Sequence, residues 1–191
     1  FNGNNYAPEW AEEAEKRGLP NLRTCADALP HFADKKNIEL FERNKVFTER
    51  EVRSRMEIML ENYSKVLTIE ALTMIEMSKK DIYPAVNEYL SELCAAAYRK
   101  EQMGGCTKSD RELIQKLSAD NEAMYFTAGE IEKLLVEAKE IGGAEAAARF
   151  FADKVIPVMQ RLRAYADEME LNTAKKYWPF PTYGDILFSV S

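Results

Sequence analysis

Apolar residues recur along this chain at intervals of three and four, the period of one face of an α-helix, so helices are expected over most of its length. The cleanest run is Ile114, Leu117, Asn121, Met124, Ala128, Ile131, Leu135 and Ala138. Gly142-Gly143 breaks it, and Phe151, Val155, Val158, Leu162, Tyr165 and Met169 resume the same spacing, which predicts an antiparallel hairpin of two helices. Upstream, Ile82, Val86, Tyr89, Leu93 and Ala96 form a third seam, on a helix from about Ile69 to Gln102 that Gly104-Gly105 ends. Helices of roughly thirty residues are about 45 Å long. The fold class is therefore all-α, an elongated antiparallel helical bundle.

Local signals place the ends. Thr48 with Glu51 three residues later is a capping box, predicting a helix from there to about Val66, and Ser109 with Glu112 predicts a second start. Pro8 and Gly18 bracket a short helix over residues 8–17. Residues 18–47 carry Pro20, Pro30 and the Thr24/Asp27 pair, and read as irregular chain with one short capped helix and another near Ile38 to Glu42. Three regions follow: a strap at 1–47, a bundle at 48–177 and a tail at 178–191. Pro84 and Pro157 fall inside helices, each shortly after an Asp and before a Val, and predict kinks at matching heights of two hairpins. Asn121 is a polar residue in an apolar seam, where a buried hydrogen bond sets register at a cost in stability.

Composition narrows the chemistry. The net charge is −6, with no cluster of Lys and Arg, so a nucleic-acid partner is not expected. No apolar run is long enough to span a membrane. Cys25, Cys94 and Cys106 are odd in number and lack a C-x-x-C spacing, which fits reduced cytoplasmic thiols rather than disulfides or zinc. The single histidine, His31, follows Pro30 in the strap and reads as solvated. A di-metal carboxylate bundle needs inward Glu-x-x-His pairs, which one histidine cannot supply. Neither Gly pair is followed by a phosphate-cradling Lys-Ser/Thr, and both read as hinges. Glu57, Glu61, Glu70, Glu76 and Asp81 are read as a solvated face, with Arg53–Glu57 and Glu61–Lys65 as ion pairs one turn apart. No catalytic, cofactor-binding or metal-binding residue is assigned.

The ending, Trp178-Pro179-Phe180-Pro181-Thr182-Tyr183-Gly184-Asp185-Ile186-Leu187-Phe188, is unlike a bundle. Its prolines forbid helix continuation, while Trp178, Phe180, Tyr183 and Phe188 carry apolar surface that needs covering. These four are the candidate docking residues, either on the chain's own helices or on a second partner.

Several stretches also carry a resemblance. Gly18-Leu19-Pro20-Asn21-Leu22-Arg23-Thr24, Asp27-Ala28-Leu29-Pro30, Leu40-Phe41-Glu42 and Val46-Phe47-Thr48-Glu49-Arg50-Glu51 open it, and Ser54-Arg55-Met56-Glu57-Ile58 and Ile69-Glu70-Ala71 continue it. With Ala166-Asp167-Glu168-Met169-Glu170, Trp178-Pro179-Phe180-Pro181 and Gly184-Asp185-Ile186-Leu187-Phe188, the chain resembles the C-terminal region of type III glutamine synthetases. The resemblance implies a parent ligase that joins ammonia to glutamate through a γ-glutamyl phosphate, using ATP and Mg or Mn in a homo-oligomeric ring. It also implies that the active site lies on an antiparallel sheet elsewhere in the parent, so no catalytic residue transfers to this chain. Together with the opening Phe1, it predicts a C-terminal piece of a larger product, inactive alone, whose partner is the missing catalytic portion. The rival expectation is a free-standing helical interaction module.

Overall fold

The computed structural model describes residue 4, residues 7–181 and residues 183–188, and among them there is no β-strand. The all-α expectation holds. The chain forms two compact units, one from residues up to Lys65 with Gly142–Ala152, the other from Val66–Ile141 with the residues from Asp153 onward.

In the first unit, helix α1 (Pro8–Lys16) ends where Gly18 turns left-handed at φ 72°, letting the amides of Gly18 and Leu19 reach the carbonyls of Glu15 and Ala14 at 2.9 Å. Helix α2 (Cys25–Ala28) is capped by Thr24, whose Oγ1 accepts from the Asp27 amide at 3.1 Å and donates to Asp27 Oδ2 at 2.7 Å. A 3-10 turn (Leu29–Ala33) leads to α3 (Lys35–Arg43). Residues 18–47 are thus more helical than their prolines suggested. Helix α3 starts before Ile38 because the Asp34 carbonyl already accepts from the Asn37 and Ile38 amides, and Asn37 Nδ2 donates to the His31 carbonyl at 2.7 Å.

The Thr48/Glu51 box forms in both directions, the Thr48 amide donating to Glu51 Oε2 at 2.8 Å and the Glu51 amide to Thr48 Oγ1 at 3.4 Å. Beyond it runs α4 (Glu49–Glu76), the helix along which the chain passes into the second unit. The core of the first unit gathers Ala26, Leu60 and Ala148, the last on α7 (Ala144–Phe150), with Met56 and Tyr63 against them. Alanines at 26 and 148 leave room for a clamp above them: Arg149 bridges to Asp27 Oδ1 at 2.8 Å and donates to the Ala26 carbonyl at 3.2 Å. The Thr24 hydroxyl and then Arg149 hold the Asp27 carboxyl below its ordinary value.

Helix α4 does not stop near Val66. No Gly or Pro lies between Thr48 and Pro84, and Leu67, Ala71 and Ile75 continue one buried row past the expected end. The paired expectation for Arg53 also shifts by a turn, since it bridges Glu49 at 2.7 Å rather than Glu57, whereas Lys65–Glu61 forms at 3.1 Å.

The second unit is built on α6 (Lys108–Lys139), packed between α5 (Tyr83–Gln102) and α8 (Ile156–Asn172). Leu117, Met124, Ala128, Ile131 and Leu135 of the expected seam are buried, facing rows that include Val86, Leu162 and Met169. Each of the larger side chains among them contributes about 1.5–3 kcal/mol. Polar pairs give the direction. Lys100–Asp110 and Lys79–Glu132 run α5 and its preceding turn against α6, and Lys116–Glu168 with Arg161–Glu130 do the same for α8, so both neighbours are antiparallel to α6. The Ser109/Glu112 box is not used: α6 begins at Lys108 behind Thr107, and neither residue caps it. Lys100, at 2.8 Å from Asp110, anchors that turn instead.

The two internal prolines produce the same device. A π-helical stretch, Met77–Ile82, ends two residues before Pro84, and a second, Phe151–Val155, ends two residues before Pro157. Proline lacks the amide that would close the preceding turn, and its ring presses on the carbonyl four residues back. One extra residue in that turn carries the carbonyl away while the helix continues.

Asn121 is buried as expected, its Nδ2 donating to the Tyr83 carbonyl and to Asn87 Oδ1 at 3.2 Å each. Its own Oδ1 is buried and accepts nothing from the described residues. A buried acceptor left unpaired costs about 1–3 kcal/mol. Asn121→Leu should therefore raise the melting temperature by about 2–4 °C, for a gain near 1 kcal/mol, in a thermal scan followed by circular dichroism. A lowered melting temperature would show that the two donated bonds outweigh the orphaned oxygen.

Candidate docking site

Helix α8 ends at Asn172, whose Nδ2 turns back to the Glu168 carbonyl at 2.7 Å, and Thr173 closes the last turn onto the Met169 carbonyl at 2.8 Å. Three consecutive residues then bind the departing chain. Lys176 bridges Glu92 of α5 at 2.9 Å, the Tyr177 hydroxyl donates to the same carboxylate, and Lys175 pairs with Asp185. The rings of Tyr177 and Tyr89 pack at 5.3 Å, and the Lys176 ammonium lies 4.6 Å from the Tyr177 ring centre.

Glu92 is thus the hub of the anchor. The Tyr177 hydroxyl, then Lys176, hold its carboxyl below the ordinary 4.5. The same carboxylate raises Tyr177 above its ordinary 10.0, and raises Lys176 above 10.5. All three are solvent-facing, so their value lies in positioning more than in stability.

Past the anchor, Trp178 and Phe180 are half-buried and meet edge to face, 6.2 Å between centres at 79°. They form one wall of a groove of about 490 Å³ whose floor is Met74, Met77, Ile82 and Leu162. Arg163 and Asp167, paired at 3.3 Å, stand at its rim, and the buried Ser78 hydroxyl donates to the Met74 carbonyl at 2.6 Å. Helix α9 (Tyr183–Leu187) follows. Ile186 and Leu187 are exposed, and Phe188 is 80% exposed.

Of the four predicted docking residues, then, Trp178 and Phe180 face the chain's own helices and Phe188 faces outward. The Tyr183 side chain and Thr182 lie outside the described residues. Sequence reading missed the anchor. Tyr177 and Glu92 are 85 residues apart, and Glu92 reads as one more charge on a solvated helix face.

Elsewhere, His31 Nδ1 lies 3.1 Å from Asp34 Oδ2 on the surface, and Cys25, Cys94 and Cys106 are exposed free thiols. Among the described residues no three His, Cys, Asp or Glu side chains converge as metal ligands do, and no helix is long and apolar enough to cross a membrane.

These features define the class: an all-α helical domain with a clamped aromatic tail. Residues 1–101 match the family model described as the glutamine synthetase C-terminal domain, and the chain belongs to that family. It is 39% identical over its whole length to a glutamine synthetase of Butyrivibrio fibrisolvens. It is 30% identical over 98% of its length to a type-3 glutamine synthetase of Dictyostelium discoideum, and 26% identical over 99% to a glutamine synthetase of Bacteroides fragilis (strain YCH46). The chain spans 27%, 26% and 27% of the length of these curated relatives.

The Glu92 anchor makes a pH prediction. A carboxyl lowered in the folded chain stabilises above its unfolded value, and that contribution is lost as pH falls through the folded one; Tyr177, raised, acts oppositely at the alkaline end. In a Trp10→Phe background, Trp178 emission should stay constant across neutral pH and shift to the red as pH drops below 4.5. Glu92→Ala should show the red shift already at neutral pH. Unchanged emission in that variant would mean that the groove alone holds the tail.

Proposed function

We propose that this chain is the C-terminal helical region of a type III glutamine synthetase and serves subunit packing or regulation there. The reaction of such an enzyme, ATP-dependent ligation of ammonia to glutamate, belongs in this reading to a catalytic portion outside these 191 residues. The observation that carries the reading is the alignment of the whole chain with about a quarter of a glutamine synthetase at 39% identity. In this reading the parent's nucleotide and its Mg or Mn are held by that other portion. The compartment is the cytoplasm, in keeping with three exposed reduced thiols.

In this assignment the tail is the contact element. Glu92, Lys176 and Tyr177 fix its root, and Leu187 and Phe188 offer apolar surface to the catalytic portion or to a neighbouring subunit of the ring.

Deleting the residues after Tyr177 from the parent enzyme tests this. The expected result is a several-fold loss of glutamine formation together with partial dissociation in sedimentation velocity. An intact oligomer turning over at the normal rate would contradict a docking role. Phe188→Asp, which leaves the anchor untouched, should reproduce part of the loss.

A further inference from the structure

Helix α6 has a second ordered face, away from the core. Ala119, Glu122, Phe126, Gly129, Lys133 and Val136 follow one another at three, four, three, four and three residues, opposite the buried row of Leu117, Met124, Ile131 and Leu135. Phe126 is 67% exposed and Val136 62%. Large apolar groups at heptad positions on a solvent face have no role in the unit's own core.

Two further facts are unexplained within one chain. Gly129 sits in the middle of a 32-residue helix, where glycine is less favourable than alanine. A Cβ built there meets nothing within 4 Å, so no neighbour in this chain demands a glycine. Glu122 and Lys133 have no ion-pair partner among the described residues, and at eleven residues apart they stand about 16 Å from each other along the helix.

We propose that this face is a homotypic seam on which α6 pairs antiparallel with α6 of a second copy of the chain. With the two-fold axis between Thr127 and Ala128, the contacts complement themselves. Phe126 seats over Gly129 of the partner subunit, where the missing side chain leaves the hole for the ring. Glu122 meets the partner subunit's Lys133, and Ala119 meets Val136 of the partner subunit, a small residue against a larger one. The axis repeats each contact, giving six layers along about 26 Å of helix. Phe126 is preset for this role: Tyr125 packs edge-on against it at 6.0 Å and is itself held by Tyr83 at 4.9 Å. The seam does not rest on the assignment to a ligase and applies to the chain by itself.

The test is sedimentation equilibrium of the 191-residue chain over a concentration series, with reductant present because Cys25, Cys94 and Cys106 are exposed. The mass should climb from 21.9 kDa toward twice that value. Glu122→Lys and Lys133→Glu should each weaken the dimer at least tenfold, and the two together should restore it, because both charges then exchange places across the axis. Gly129→Ala should raise the melting temperature of the monomer while weakening the dimer, a split that a purely structural glycine would not give. Circular dichroism identical to the parent chain checks that these surface variants are folded. A mass of 21.9 kDa at every concentration, a dimer indifferent to both reversals, or a double variant that stays monomeric would overturn the seam.

Discussion

The second unit depends on one constraint, the burial of a single face of α6 against two antiparallel partners. Leu117, Met124 and Ile131 are wholly covered, and the polar pairs Lys100–Asp110, Lys79–Glu132 and Lys116–Glu168 run along the edges of that contact. Apolar burial supplies most of the free energy, while exposed pairs of this kind select direction and register. Asn121 adds a register pin inside the seam at the cost of an unpaired oxygen. Because α5 carries Glu92, fixing α5 against α6 also fixes the point at which the tail is held.

Keeping the helices continuous is the second requirement, and the prolines work against it. Pro84 and Pro157 would each break a hydrogen-bond ladder, yet a π-helical stretch ahead of each takes up the misfit. The first of these stretches supplies Met77 and Ile82 to the floor of the tail groove and Lys79 to the edge of α6. A feature that begins as accommodation of a missing amide thereby shapes the groove beneath Trp178 and Phe180.

Much of this was legible in the residues. The three- and four-residue spacing identified α6 and α8 and their antiparallel pairing, and the Thr48/Glu51 box located the start of α4. Glycines that turn left-handed marked the ends of α1 and α5 at Gly18 and Gly104. What failed was local competition. Ser109 and Glu112 have the spacing of a cap but lie inside a helix that Lys100 and Thr107 start earlier, and the expected stop near Val66 had no breaker to enforce it. The tail anchor was invisible because its members are separated by 85 residues and none is unusual alone. Sequence pattern reports what a residue needs from its own helix, and says little about which distant charge will meet it.

The chain belongs to the family of glutamine synthetase C-terminal domains, and in the proposed reading it works in company, through its clamped tail and the outer face of α6. Its most direct test is the intact mass of the native gene product, taken from its own cells under protease inhibition. The account predicts a polypeptide about three to four times the 21.9 kDa of this chain, in line with relatives of which the chain spans 27%. A native product of 21.9 kDa would contradict it, leaving a stand-alone helical module with no ligase attached.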